Sequence, residues 1–135
     1  MSKGPNILYI EDEQLMIDMV DQILNLSGYD YQMRGITSGE KGLEIMRQHK
    51  TDVLLLDLIM PQTNGWDVYR EMKQDKSLAD IPVIVISASL PEKGHKLADD
   101  LPPVDDYITK PFDIKQLISS VKKITEITPP PEPAD

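Results

Sequence analysis

The chain contains a short apolar run that ends on an acid, Val53-Leu54-Leu55-Leu56-Asp57. Such a run is far shorter than the roughly 20 residues of a membrane span, and it is typical of a strand buried on both faces of a parallel sheet. Similar runs occur at Ile7-Leu8-Tyr9-Ile10 and at Val83-Ile84-Val85-Ile86. The sequence therefore predicts a sheet whose central strands are hidden from water.

Segments with helical spacing alternate with these runs. The first has apolar residues three and four positions apart from Leu15 to Leu24, and it stops before Gly28. This alternation indicates a mainly parallel sheet with helices on both faces. Strands are expected at residues 7–10, 29–36, 53–57, 81–88 and 107–109. Helices are expected around residues 15–24, 38–50, 66–72 and 114–124.

The segment between the fourth and fifth expected strands departs from this pattern. It contains Pro91, Gly94 and the pair Pro102-Pro103. Proline removes a backbone donor and biases the preceding residue away from the helical region. We therefore expect the helix between these two strands, the fourth of five in a regular fold of this kind, to be short, shifted or irregular, without regular turns that reach Leu101.

The composition limits the classes of partner. The chain has 14 Lys and Arg against 23 Asp and Glu, a formal charge of −9 without a basic cluster, which argues against nucleic acids and anionic membranes. It has no Cys, so disulfides and thiolate sites are excluded and a metal would need oxygen ligands. No apolar run is long enough to span a membrane and no signal core follows Met1, so a soluble, cytoplasmic protein is expected.

The length of 135 residues suits one domain. We expect this domain to occupy residues 1–127. Residues 128–135 include four prolines, which cannot continue a helix, so this segment is expected to be an extended tail or linker.

Polar groups follow four of the expected strands, at their carboxyl ends. In an open parallel sheet these ends line the crevice in which ligands bind. The groups are, in chain order, Glu11-Asp12, Asp57, Ser87-Ala88 and Lys110. Carboxylates that are forced together repel each other unless a cation neutralises them or one of them takes up a proton. The set therefore points to a cation site.

Magnesium is the expected cation, because it is commonly held by one or two carboxylates together with waters and phosphate oxygens. Asp12 and Asp57 are the expected ligands, and Glu11 could act through a bound water. With its charge screened by the ion, Asp57 could attack phosphorus and form an aspartyl phosphate.

The remaining strand-end groups could stabilise the negative charge of a phosphoryl group while it is transferred. Lys110 supplies a fixed positive charge, and Ser87 supplies a short hydroxyl donor. The backbone N–H groups of Ile59 and Ala88 could add further donors to this phosphate-binding cradle.

Each residue also has a purely structural interpretation. Asp57 could be a solvated loop residue, and Asp12 could cap the first helix. Lys110 could be a surface lysine and Ser87 a turn hydroxyl. Four strand ends seldom carry such groups together, so we favour the phosphoryl-transfer site.

Four motifs resemble, in the same order, those of the receiver domains of two-component response regulators. They are Ile10-Glu11-Asp12-Glu13, Leu56-Asp57-Leu58-Ile59-Met60-Pro61 with Asn64-Gly65, Ile86-Ser87-Ala88, and Asp106-Tyr107-Ile108-Thr109-Lys110-Pro111-Phe112. The likeness extends from Asn6 to about Ile127. It implies a flavodoxin-like (CheY-like) doubly wound sheet of five parallel strands in the order 2-1-3-4-5.

The resemblance also implies the donor and the ligands. A histidine kinase or a histidine phosphotransfer protein would donate a phosphoryl group from phosphohistidine to Asp57. Mg²⁺ or Mn²⁺ would be held by Asp12, Asp57 and the backbone carbonyl of Ile59, and Glu11 would assist.

A switch is implied as well. Ser87 would turn toward the phosphoryl group, and Tyr107 would move from an outward to an inward rotamer, which changes the surface that a downstream protein recognises. From the residues alone, Tyr107 is equally explained as an edge-strand aromatic that packs on the sheet.

A phosphatase of the haloacid-dehalogenase class also uses a strand-end Asp with magnesium. Enzymes of that class have Asp-x-Asp, whereas Ile59 lies two residues after Asp57. We therefore expect a signalling phosphoacceptor, with intrinsic autophosphorylation and autodephosphorylation chemistry, rather than an enzyme. A phosphate sink, a docking module, or a fragment of a longer regulator or hybrid kinase remain alternatives.

Overall fold

A computed structural model of the chain describes residues 4–61, 64–89 and 96–125. The strands in this part of the chain are β1 (Asn6–Ile10), β2 (Gln32–Ile36), β3 (Val53–Leu56), β4 (Val83–Ser87) and β5 (Asp106–Thr109). The helices are α1 (Gln14–Leu26), α2 (Gly39–Gln48), α3 (Gly65–Gln74) and α4 (Ile114–Thr125). No helix among these described residues is long and apolar enough to cross a membrane.

The strands form one sheet, and all four pairings are parallel in the order β2-β1-β3-β4-β5. At the last pair of the central register, Ile10 of β1 lies beside Leu56 of β3. The predicted doubly wound sheet of order 2-1-3-4-5 is therefore confirmed. The reversal of winding between β1 and β3 is where ligands bind in open sheets of this kind.

The sheet is covered on both faces, as the continuous apolar runs predicted. Alternate strand residues face opposite sides, and they build two separate cores. The core below α2 and α3 includes Leu8, Ile10, Leu54, Leu56, Val83, Val85 and Tyr107. The core below α1 and α4 includes Ile7, Tyr9, Val53, Leu55, Ile84, Ile86 and Ile108.

The start of α3 is fixed close to the end of β3. Asn64 is the N-cap, and its side-chain oxygen accepts a hydrogen bond from the Asp67 N–H at 2.9 Å. The Gly65 N–H donates to the Leu58 carbonyl at 2.9 Å. A Cβ at Gly65 would lie 2.4 Å from the Asp57 carbonyl oxygen, so only glycine lets the helix approach the loop after β3 this closely.

Two strands begin later than the sequence predicted. The strand expected from residue 81 begins at Val83, because Pro82 has no N–H to donate to the ladder. The strand expected from residue 29 begins at Gln32. Before it, Gly28 has a positive φ of 83°, and the chain is still turning away from α1 there.

The described residues between β4 and β5 contain no α-helix, since Lys96 forms an isolated β-bridge and Leu97 to Asp105 form turns and irregular backbone. This segment is tied to α3 because the Tyr69 hydroxyl donates to the carbonyls of Pro102 and Pro103 at 2.9 and 3.1 Å. The expected irregularity is confirmed for these residues. Residues 90–95 and the expected tail, residues 128–135, lie outside the described residues.

Candidate functional site

Three carboxylates meet at the carboxyl edge of the sheet. Glu11 and Asp12 follow β1, Asp57 follows β3, and each offers an oxygen such that all three lie within 4.8 Å of one another. The Asp57 N–H donates to the Ile10 carbonyl at 3.0 Å, which extends the β1–β3 pairing up to the site. Neighbouring strand ends therefore bring together acids that are 46 positions apart in sequence.

Lys110 brings a positive charge to this group from the loop after β5. Its Nζ lies 2.8 Å from Glu11 Oε2 and 3.4 Å from Asp57 Oδ2. The Lys110 N–H donates to the Ser87 carbonyl at 2.8 Å, so the backbone of this loop is attached to the end of β4. The peptide bond between Lys110 and Pro111 is cis.

The purely structural interpretations of these residues do not fit their surroundings. Asp57 is only 4% exposed, so it is not a solvated loop residue. The N-cap of α1 is Glu13 rather than Asp12. The Lys110 side chain is only 16% exposed, unlike that of a surface lysine.

The charges of the cluster do not balance. When all are ionised, three carboxylates face one ammonium group among the described residues, which leaves two negative charges uncompensated there. Hard oxygen donors and a charge of this size suit a divalent cation such as magnesium. The residues present therefore fit the predicted metal, with Glu11, Asp12 and Asp57 as the available carboxylates.

Burial and the neighbouring charges shift the ionisation of the pair Glu11 and Lys110. Burial raises the pKa of Glu11, the Lys110 hydrogen bond opposes this, and the Asp57 charge adds to it, so that the pKa rises from 4.5 to about 7. Burial lowers the pKa of Lys110, but the Glu11 hydrogen bond and the Asp57 charge outweigh it and the net pKa is raised. Lys110 therefore stays cationic at neutral pH.

The expected phosphate cradle lies around Asp57 and the end of β4. The Ile59 N–H donates to Asp57 Oδ1 at 3.2 Å, while the Ile59 residue itself is 54% exposed. Ser87 is buried at the end of β4, and Ala88 follows it at the exposed edge. Because β4 lies beside β3, with Leu56 opposite Val85, Ser87 and Ala88 lie at the same carboxyl edge of the sheet as Asp57.

Tyr107 occupies a buried, inward position and is 8% exposed. Its hydroxyl donates to the Ser89 carbonyl at 2.7 Å and lies 2.9 Å from the Ser89 hydroxyl oxygen. The Ser89 hydroxyl is in turn 3.4 Å from that of Ser87. A chain of hydroxyl groups therefore runs from the expected phosphate cradle to β5.

Tyr9 was not among the predicted site residues, yet its hydroxyl donates to Glu11 Oε2 at 3.0 Å. Burial and then the charge of Glu11 raise the pKa of Tyr9 far above its ordinary value, so this hydroxyl keeps its proton. The signal in the sequence was the spacing, because residues 9 and 11 of an extended chain face the same side.

A family model of the response regulator receiver domain matches residues 7–122. The chain belongs to this family. This receiver is 34% identical over 124 residues to the DNA-binding dual master transcriptional regulator RpaA of Synechocystis, covering 92% of this chain and 50% of RpaA. It is 32% identical over 127 residues to the phosphate regulon regulatory protein PhoB of Pseudomonas aeruginosa, covering 94% and 54%. The receiver spans about half the length of the curated relatives it matches.

Solved receiver structures share this fold. The phosphorylated cyanobacterial phytochrome response regulator RcpA is 32% identical, with a TM-score of 0.74 over 91% of this chain and 92% of that chain. The Mn²⁺-bound response regulator Rcp1 is 25% identical, with a TM-score of 0.78 over 96% and 100%. The stretch matched by the family model, residues 7–122, includes the strand ends that carry the candidate site.

The raised pKa of Glu11 predicts a pH dependence of stability in the presence of EDTA. The folded receiver holds the Glu11 proton more tightly than the unfolded chain does, so ionisation of Glu11 lowers the free energy of unfolding as the pH rises from 4.5 to about 7. Relative to the Glu11→Gln variant, wild type should lose up to about 3 kcal/mol between about pH 4 and pH 8, at 1.36 kcal/mol per pKa unit.

Urea unfolding at a series of pH values measures this difference. Glu44→Gln is the control, because Glu44 is exposed on α2 and its variant should run parallel to wild type. If the free energy of unfolding changed with pH in the same way for Glu11→Gln and wild type, this would contradict the raised pKa of Glu11.

Proposed function

We propose that this receiver is a phosphoacceptor of a two-component phosphorelay, and that Asp57 accepts the phosphoryl group from phosphohistidine of a histidine kinase or a histidine phosphotransfer protein. The supporting observation is the meeting of three carboxylates and Lys110 at one sheet edge, with Lys110 Nζ 3.4 Å from Asp57 Oδ2. A buried acid beside a fixed cation at the switch point of the sheet is the arrangement that such chemistry needs.

Two contacts hold the Asp57 carboxylate, which would act as the nucleophile. The Ile59 N–H donates to one carboxylate oxygen, and Lys110 lies beside the other. In the proposed transfer, one Asp57 oxygen forms a bond to phosphorus as the phosphorus–nitrogen bond of phosphohistidine breaks. The imidazole nitrogen keeps the electron pair of that bond. Because little else changes covalently, catalysis consists of positioning and charge stabilisation.

A divalent cation is part of the proposal. Mg²⁺ or Mn²⁺ would be held by Asp12, Asp57 and the backbone carbonyl of Ile59, and Glu11 would act through a bound water. When bound, the ion neutralises phosphoryl oxygens and the excess charge of the carboxylates. The similar receiver Rcp1 was solved with Mn²⁺ bound, which supports this choice of metal.

Lys110 and the end of β4 would bind the transferred group. Lys110 would move its ammonium group from Glu11 and Asp57 toward the phosphoryl oxygens, and the Ser87 hydroxyl and the N–H groups of Ile59 and Ala88 would donate to them. The same groups would permit autophosphorylation by small phosphodonors and autodephosphorylation by water.

The partners follow from the family. We propose a histidine kinase or phosphotransfer protein upstream and another protein downstream, in the cytoplasm. RpaA is named as a DNA-binding regulator. For this chain we propose no direct binding to nucleic acid. Its formal charge of −9 would repel phosphates.

Acetyl phosphate and magnesium test the phosphoacceptor directly by intact mass. Wild type should gain the mass of one phosphoryl group, and Asp57→Asn should gain none, because an amide is not a nucleophile for this transfer. Asp113→Asn is the matched control, since Asp113 is an exposed acid at the start of α4, and it should be modified like wild type.

Equal modification of wild type and Asp57→Asn would contradict Asp57 as the acceptor. No adduct on wild type, with magnesium bound, would contradict the phosphoacceptor function and would favour a docking module.

We further propose that Ser87 and Tyr107 form the switch, with Ser89 between them. Phosphorylation would draw the Ser87 hydroxyl toward the phosphoryl oxygens and, through Ser89, would shift the population of Tyr107 from an outward rotamer to the inward position seen here. The free energy available for this change is the difference in the interaction of the phosphoryl group with the two states. The surface near β5 would then present a different shape to a downstream protein.

Amide chemical shifts from NMR test the switch. Phosphorylation should shift the amide resonance of residue 107 in wild type. The change should fall to less than half in Ser89→Ala and Tyr107→Phe, because each variant lacks a link of the hydroxyl chain. Ser77→Ala is the control, since the Ser77 hydroxyl donates a hydrogen bond to Asp75 after α3 and is not part of the hydroxyl chain. Equal changes in all four proteins would contradict the coupling.

A further inference from the structure

Tyr9 places a phenol hydroxyl against the acidic cluster from inside the core. Its side chain is fully buried, at 0% exposure, and its hydroxyl donates to Glu11 Oε2 at 3.0 Å. Glu11 is also fully buried. A buried carboxylate needs several donors, and Tyr9 supplies one of them without reaching in from the solvent side.

The two oxygens of Glu11 accept hydrogen bonds from different sides. Oε2 accepts from the Tyr9 hydroxyl and from Lys110 Nζ at 2.8 Å. Oε1 accepts from the Glu13 N–H at 3.3 Å. Of these donors, Lys110 is the one that phosphoryl transfer would draw away. Tyr9 and Glu13 would then be the donors that keep the carboxylate oriented.

The position of the Tyr9 ring is set by the core rather than by the site. The ring belongs to the core below α1 and α4, where Ile17 of α1 and Leu117 of α4 also lie. In the sheet, Tyr9 stands between Gly35 and Leu55. A ring enclosed in this way has little freedom to move. A phenylalanine ring would fill the same space, so the hydroxyl group is the part of Tyr9 that core packing does not require.

We propose that Tyr9 is a positioning residue of the metal site, whose hydroxyl orients Glu11 so that the carboxylate stays within reach of a divalent cation held by Asp12 and Asp57. The proposal rests on the proposed function for the identity of the ion. Oxygens of the three acids already lie within 4.8 Å of one another. Partners that orient the ligands of a metal typically change its affinity 10- to 100-fold.

Tyr9→Phe removes the hydroxyl and keeps the ring. Isothermal titration calorimetry with MgCl₂ alone should give a Kd about tenfold weaker than that of wild type, the lower end of the range for such partners. The reason is that Glu11 loses both a donor that stabilises its charge and the group that fixes its orientation.

Tyr69→Phe is the matched control. Tyr69 is also fully buried, at 1% exposure, and its hydroxyl donates to the carbonyls of Pro102 and Pro103 on the other face of the sheet. The variant loses a comparable buried hydroxyl, so its thermal stability should fall by a similar amount. Its magnesium Kd should stay within twofold of wild type.

A double-mutant cycle asks whether Tyr9 acts through Glu11. Glu11→Gln alone should weaken magnesium binding, and adding Tyr9→Phe to it should change the Kd by less than twofold, because the hydroxyl no longer has a carboxylate to orient. A further tenfold loss in the double variant would contradict the proposed route.

Phosphorylation by acetyl phosphate gives a second readout. In Tyr9→Phe, the magnesium concentration for half-maximal rate should rise about as much as the Kd, while the rate at saturating magnesium recovers to near that of wild type. A general loosening of the core would lower the saturated rate as well, and it would contradict a positioning role.

The outcomes separate this proposal from the phosphoacceptor function. A Tyr9→Phe protein that binds magnesium as tightly as wild type overturns the role of Tyr9, even if Asp57 is phosphorylated. Equal weakening in Tyr9→Phe and Tyr69→Phe overturns it too, as does a wild type that binds no magnesium. If wild type binds magnesium and Tyr9→Phe weakens it but no phosphoryl adduct forms, the positioning role stands and the phosphoacceptor function fails.

Discussion

The ion pairs of Lys110 with Glu11 and Asp57 are the interactions on which the organisation of the site depends. Two almost fully buried carboxylates would be strongly unfavourable without a cation, and Lys110 reaches them at 2.8 and 3.4 Å from a loop about 100 and 50 residues away. The contact requires β5 to lie in register with β4 and β1 to lie beside β3. The site therefore assembles when the strands pair in this order. Among the described residues, the ion pairs leave an excess of negative charge that a divalent cation can neutralise.

The two cores give the site its rigidity. Apolar strand residues are buried on both faces of the sheet. Their close packing fixes the backbone at each strand end, from which the side chains of the site extend. Tyr9 connects one core to the site through Glu11, and Tyr107 connects the other face to Ser89 and the end of β4. Each core thus places a phenol hydroxyl at this edge of the sheet, one on the side of the expected metal and one on the side of the expected phosphoryl group.

Most of the fold and the main residues of the site could be predicted from sequence, for a physical reason. Continuous apolar runs mark buried parallel strands, and the residues that follow them must lie at one edge, so Asp57 and Lys110 could be placed together without coordinates. Features that depend on the direction of a hydrogen bond could not be predicted. Tyr9 resembles an ordinary core residue until its hydroxyl partner is known, and the contact between the hydroxyls of Ser89 and Tyr107 is likewise not visible in the sequence. Strand starts were also missed, at Val83 and Gln32, because they depend on which backbone groups find a partner.

The most direct test of the central claim is a crystal structure grown with MnCl₂, in which the anomalous signal locates the ion. The account predicts one peak at the carboxyl edge of the sheet, at roughly 2.2 Å from oxygens of Asp12 and Asp57 and from the Ile59 carbonyl, as expected for a small divalent cation. Lys110 should remain beside Asp57 in the same crystal. A peak elsewhere would contradict the account. So would the absence of a peak at the carboxyl edge at saturating Mn²⁺, with Lys110 still paired with Glu11 and Asp57.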